Sequence, residues 1–295
     1  MLHEYAVDPR GLGRLGQMWM LMEQFGVSKG RIIVEFPAAW LRLVHDAVIE
    51  SDCPDVEKLS IFERLKRLKK SLAKPDGARE FCGQNWLESA LLANIQRKFT
   101  AIVSDTIDMQ RPELLAPIDA TEDNPKWRVS TGCVIPRTAE QIAACAAPLG
   151  RISKELLFVD PYLCDNADRL RVIREILKTS GVEGRSFRRI ELHLTRKCGV
   201  LSAFQKKFRE FVVDRISTPI SVEIFQWEAK VAGDIMHARY LLTERGGIRF
   251  DFGLAEGDSG ETTDVQLLDQ RIYETRWNDF QTDTAAYELI ERLVV

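Results

Sequence analysis

The chain has 295 residues, of which 45% are hydrophobic and 29% charged, and a formal net charge of −3. That length suits one large domain or two ordinary ones, with a globular balance of side chains. It excludes a global electrostatic pull toward nucleic acid or an anionic membrane, so any such attraction must come from local patches.

In chain order, Gly30-Arg31-Ile32-Ile33-Val34-Glu35-Phe36-Pro37 reads as a short strand ended by proline, and a helix is expected from Ala38 to Ile49. Leu59, Phe62, Leu65, Leu68 and Leu72 recur every three or four residues and predict an amphipathic helix. Its other face carries Arg64, Lys66, Arg67, Lys69, Lys70 and Lys74. Pro75-Asp76-Gly77 breaks the chain before a second amphipathic segment, from Trp86 through Leu91 and Ile95 to Ile102. Residues 104–136 hold Pro112, Pro117, Pro125 and Pro136 and read as an irregular connector. Residues 1–135 are therefore expected to form a mostly helical domain, and 136–295 a second one.

The second half alternates. Thr138 to Leu149 predicts a helix, and Leu156-Leu157-Phe158-Val159 a buried strand stopped by Asp160-Pro161-Tyr162. A helix follows from Asp168 to near Gly181. Ile190, Leu192 and Leu194 mark a strand. Leu201, Phe204, Phe208 and Phe211 mark a helix, and Val222, Ile224 and Gln226 a third strand. His237 to Thr243 is expected as a fourth strand, Gly246-Gly247 as a hairpin, and Ile248 to Phe252 as a fifth strand. After an acidic stretch, Tyr287, Leu289, Ile290, Leu293 and Val294 predict a closing helix. The alternation argues an α/β sandwich with a largely parallel sheet.

Six scattered cysteines (Cys53, Cys82, Cys133, Cys145, Cys164 and Cys198) form no Cys-x-x-Cys pair. The opening residues lack the character of a signal peptide, and no run of 18 apolar residues occurs. The expectation is a cytoplasmic protein with reduced thiols and no transmembrane helix. The histidines His3, His45, His193 and His237 have no ligand spacing, so neither a metal nor another cofactor is expected.

The richest stretch is Met236-His237-Ala238-Arg239-Tyr240-Leu241-Leu242-Thr243-Glu244. On a strand, His237 and Arg239 would share a face. An imidazole beside a guanidinium suits a phosphodiester: the histidine attacks phosphorus or moves a proton, and the arginine balances oxygen charge. A lone His-x-Arg is nevertheless more often structural. Glu244 would orient the imidazole, pair with Arg239, or be a solvated turn residue.

The spacing resembles the phospholipase D superfamily motif His-x-Lys-x-x-x-x-Asp, with Arg239 and Glu244 in the lysine and aspartate positions. Over about residues 150–295 the chain is most similar to the phospholipase D-like C-terminal domain of MIT-domain proteins. His237-Ala238-Arg239, Gly246-Gly247, Gly253-Leu254 and Glu261-Thr262-Thr263 carry that resemblance. Active phospholipase D members have a Gly-Ser pair and an Asn on the next strand, and Arg249-Phe250-Asp251-Phe252-Gly253-Leu254 has neither. The resemblance thus implies phosphodiester recognition, most plausibly of nucleic acid, in a prokaryotic defence or mobile-element system. Partner proteins of a defence operon are implied with it.

One rival is a homodimeric, metal-independent nuclease in which a second copy supplies the second His237. Another is an adaptor that binds peripheral membrane lipid or a partner protein. Supporting ligand contacts are expected from Asp160 and Tyr162 at a strand end, and from Glu261 and Thr262. A basic set that includes Arg188, Lys197, Lys206 and Lys207 is expected to add to them. His193, opposite the apolar alternation of its strand, is expected at the surface or in packing, with a phosphate donor as the rarer role. The tryptophans are expected in cores.

Overall fold

A computed structural model describes the chain except for Arg14, residues 69–71 and residues 75–78. Lys69 and Lys70 of the expected basic face, and the Pro75-Asp76-Gly77 break, lie outside the described residues. The chain divides into two compact units, Leu2–Ser130 and Thr131–Val295.

The first unit is built on a sheet of four parallel strands in the order β2-β1-β3-β4: β1 (His3–Val7), β2 (Arg31–Ile33), β3 (Ala101–Val103) and β4 (Leu114–Leu115). Helices α1 (Leu15–Gln24), α2 (Trp40–Glu50), α3 (Asp55–Leu68) and α4 (Trp86–Gln96) surround it. Helical residues outnumber strand residues, but the parallel sheet organises the unit. Only β2 had been legible. Ile102, expected on the second amphipathic segment, lies in β3, and β4 occupies part of the expected connector. The core runs from Tyr5, Ile33 and Ala101 out to Trp40, Ile61 and Trp127. Its indoles find acceptors, with Trp40 Nε1 donating to the Val7 carbonyl at 2.7 Å and Trp86 Nε1 to the Phe36 carbonyl at 2.8 Å.

The second unit is one sheet of eight strands in the order β12-β8-β7-β6-β9-β10-β11-β5. The strands are β5 (Gly132–Pro136), β6 (Glu155–Val159), β7 (Arg189–Thr195), β8 (Glu223–Glu228), β9 (Tyr240–Thr243), β10 (Gly246–Phe250), β11 (Thr262–Leu267) and β12 (Glu288–Val294). Between them lie α5 (Ala139–Ile152), α6 (Ala167–Thr179), α7 (Leu201–Phe211) and α8 (Gln270–Asn278). Strands β6, β7 and β8 are mutually parallel, and every other pairing is antiparallel. The successive crossovers through α6 and α7 step in one direction, so right-handed connection puts both helices on one face. On the other face Tyr273 of α8, Phe280 and Tyr287 pack with Leu157, Val159, Trp227 and Leu242. Polar side chains start several helices: Thr138 accepts from the Gln141 N–H, Asn166 from Asp168 and Asp269 from Arg271.

Three expectations are corrected here. The expected closing helix is strand β12, paired antiparallel to β8, and the last helix is α8. The strand expected from His237 begins only at Tyr240, which leaves His237 and Arg239 in the segment before it. The connector 104–136 ends in β5, the edge strand beside β11.

Of the roles expected for His193 the structure keeps packing, not the surface or a phosphate donor: it is fully buried. Trp227 Nε1 donates to its Nδ1 at 3.0 Å, so Nδ1 carries no proton, and Nε2 meets Glu191 at 3.0 Å. Phe225, Trp227 and Phe280 pack on the ring. Glu191 also faces Arg189 at 3.4 Å, and Arg189 reaches Glu155 at 2.8 Å.

Burial lowers the pKa of His193 below its ordinary value of 6.5, against the pull of Glu191. A base with a depressed folded pKa adds stability that is present above its unfolded pKa and lost as pH falls below it. Denaturation of the wild type should therefore show stability falling more steeply than in His193→Gln as pH drops below about 6.5. Equal slopes would mean that His193 is not held neutral.

Candidate functional site

Parallel strands β6, β7 and β8 end at Val159, Thr195 and Glu228 on one edge of the sheet. Tyr240 pairs with Val159, so β9 starts at that edge. Phe250 donates its N–H to the Arg239 carbonyl at 3.1 Å, so β10 ends there. Thr262 pairs with Pro136, which brings the start of β11 and the end of β5 to the same edge. Open α/β sheets collect ligands where their parallel strands end. Here the edge gathers Asp160, Tyr162, Lys197, His237, Arg239 and the loop after β10.

Asp160 is buried directly after β6. Its Oδ1 accepts from the Tyr162 N–H at 2.9 Å and its Oδ2 from the Leu254 N–H at 3.1 Å. Burial raises its pKa, while the two backbone donors and more distant Arg169 and Arg239 pull the other way. The carboxylate thus joins the turn after β6 to the loop after β10. Gly253 makes the join fit: its φ is +83°, and a Cβ there would come within 2.7 Å of Asp160 Oδ2 and 3.3 Å of Arg239 Cγ.

The Tyr162 ring carries two cations, with Lys197 Nζ 3.9 Å and the Arg239 guanidinium 4.6 Å from its centre. Arg239 Nη1 donates to the Asp251 carbonyl at 3.0 Å, and its buried Nε has no acceptor. Among the described residues no carboxylate pairs with either cation. Arg169 fixes the same turn from below by donating to the Tyr162 carbonyl. Thr195 ties β7 to it by donating to the Pro161 carbonyl at 2.6 Å.

His237 is exposed, with Nδ1 3.0 Å from the Ile235 carbonyl. A carbonyl only accepts, so Nδ1 carries the proton of this bond and Nε2 presents its lone pair. The segment before β9 is pinned to α8 and its sequel: Arg276 lies 3.6 Å from Asp234, and Lys230 donates to the Ala285 carbonyl at 2.6 Å. Among the described residues no group of three or more His, Cys, Asp or Glu side chains could hold a metal ion, and no helix is long and apolar enough to cross a membrane.

Other expected site residues stand elsewhere. Glu244 sits in the β9–β10 turn at the opposite edge of the sheet, where it accepts from the Lys154 and Glu155 N–H groups at 2.8 and 3.1 Å. It orients neither His237 nor Arg239. Arg188 is also at that opposite edge, paired with Glu155. Glu261 pairs with Arg137 at 2.7 Å instead of Arg239, and Thr262 opens β11 opposite Pro136. Lys207 pairs with Asp165 at 2.8 Å, while Lys206 is exposed on α7. The sequence reading assigned Lys197 only to the general basic set. The signal was its place just past a strand end.

No family model matches the chain, and no curated protein does. Among solved structures the chain is similar to the archaeal chromatin protein TrmBL2, described with a novel mode of DNA binding. The likeness has 15% identity and a TM-score of 0.31 and covers 55% of each chain. The chain thus spans about half the length of that protein, and at this score the likeness carries no argument about fold or function.

Gly253→Ala should lower stability by about 1–3 kcal/mol, because a β-carbon meets both the left-handed backbone and the Asp160 carboxylate. Denaturant melts of the variant check this, and an unchanged midpoint would count against the tight join. Asp160→Ala leaves the buried Leu254 N–H without its acceptor and should cost about 1–3 kcal/mol by the same measurement.

Proposed function

We propose that the edge formed by Asp160, Tyr162, Lys197, His237 and Arg239 binds a phosphodiester, and that the ligand is nucleic acid. The carrying observation is the pair of cations on one ring, neither in a direct ion pair among the described residues, with Asp160 acting on Arg239 only at longer range. Arg239 spends one Nη1 hydrogen on Asp251 and has further hydrogens for phosphate oxygens. Lys197 adds a mobile point charge from the next strand end. Tyr162 holds both and Asp160 holds the turn, while His237 lies two residues before Arg239 on the segment that enters β9. The resemblance to phospholipase D-like domains accords with this placement. A role in a prokaryotic defence or mobile-element system rests on that resemblance alone.

The state of His237 favours one second reading, the homodimeric nuclease. An imidazole held through Nδ1–H has its Nε2 lone pair ready to attack phosphorus. A P–N bond would form as the P–O bond breaks, and the leaving oxygen would take a proton from the His237 of a second copy. Water would then attack phosphorus and break the P–N bond, passing its proton to the second copy's His237 and so restoring both rings.

Arg239→Ala and Lys197→Ala should each weaken oligonucleotide binding, measured by fluorescence anisotropy, and binding should fall as salt rises. Binding unaffected by either substitution removes the proposal. Cleavage that persists in EDTA, disappears in His237→Ala and accompanies a dimer in sedimentation would establish the nuclease reading. A strictly monomeric protein rules that reading out.

A further inference from the structure

Phe252 is 58% exposed, and no other aromatic side chain among the described residues is as exposed. It stands in the loop after β10, immediately after Asp251, whose carbonyl holds Arg239 Nη1 at 3.0 Å. It stands immediately before Gly253, which packs on Asp160 and Arg239. One short loop thus fixes a phosphate-competent cation and displays an aromatic ring to solvent.

The ring is not loosely placed. The guanidinium of Arg137 lies 5.0 Å from its centre. Arg137 is itself tied to Glu261 at 2.7 Å and to the Glu256 carbonyl at 3.2 Å. The Phe252 N–H reaches Thr263 Oγ1 at 3.4 Å. A cation stacked beneath an exposed ring orients it before any ligand arrives, and this lowers the entropy cost of using its outer surface.

We infer that the ligand of this edge is a single nucleic-acid strand, with Phe252 stacking on a base next to the phosphate gripped by Arg239 and Lys197. The inference rests on the phosphodiester reading above and names its substrate class. An aromatic surface beside a phosphate grip is the pairing by which single strands are held without sequence readout. In a duplex the bases are already paired and stacked, so a ring on a short loop has no free base to meet. A bilayer is the poorer occupant. One exposed aromatic without a polybasic patch is a weak membrane anchor.

The test is anisotropy of the full chain with three labelled probes: single-stranded oligo-deoxythymidine, an abasic oligomer with the same phosphates, and a duplex. Phe252→Ala should weaken the thymidine probe roughly 10- to 100-fold and leave the abasic probe unchanged. Arg239→Ala should weaken both. If Phe252→Ala changes neither while Arg239→Ala weakens both, the stacking inference falls and the phosphodiester reading stands. If Arg239→Ala changes neither, both fall. Tighter binding to the duplex than to the single strand overturns the inference. So does Phe252-dependent binding to phosphatidylserine–phosphatidylcholine vesicles in the absence of oligonucleotide binding.

Discussion

The Asp160 carboxylate organises the edge on which every functional argument depends. It stands where the central strand β6 ends and takes N–H groups from two loops far apart in sequence, at Tyr162 and Leu254. Burial raises its pKa, and an acid with a raised folded pKa adds stability only below its unfolded value, losing it as pH rises. Ionising the buried group therefore detracts from folding stability relative to its protonated form. What it secures is geometry: a fixed Tyr162 turn and a Gly253 that only a glycine fills without strain. Local cost accepted for a fixed arrangement is the pattern expected of a binding site.

The two edges of the eight-stranded sheet treat charge differently. At the edge where the parallel strands begin, Glu155 meets Arg188 and Arg189, and Glu191 meets Arg189 and His193. Those arginines are consumed by the fold. Where the parallel strands end, Lys197 and Arg239 meet a tyrosine ring instead. The acidic loop after β10 is itself answered, Glu256 by Arg171 and Glu261 by Arg137. Counting basic residues could not separate these populations: Arg196 meets Glu228 at 3.5 Å, while its neighbour Lys197 meets the Tyr162 ring.

The apolar pattern revealed α5, α6 and α7 and the strands β6, β7 and β8, but not α8. It failed where partners are distant in sequence. Leu289, Ile290, Leu293 and Val294 fit a helical stripe, yet β8 needs an edge partner and the segment supplies it as β12. The short strands β1, β3 and β4 carry no alternation because almost every residue in them is buried. His193 was placed correctly opposite Ile190 and Leu192. That face is not solvent, because α8 and the segment after it cover it. Of the roles open to Glu244 the turn residue holds, because the whole of β9 separates it from His237. Phe252 was read as the end of a strand, and its exposure follows from the chain leaving the sheet at Asp251.

The two histidines of the second unit show how neighbours decide what an imidazole can do. In His193, Nδ1 accepts from Trp227 and Nε2 meets Glu191, so both nitrogens are occupied inside a layer of aromatic rings. Burial depresses its pKa and keeps it neutral, so it has no proton to exchange near neutrality and no lone pair left to offer. In His237 the fold uses Nδ1 alone, through a carbonyl two residues back, and leaves the other nitrogen facing solvent near the strand end that carries Arg239. Of the two, only His237 keeps a nitrogen without a protein partner among the described residues, while His193 ties β7 to β8 through Trp227.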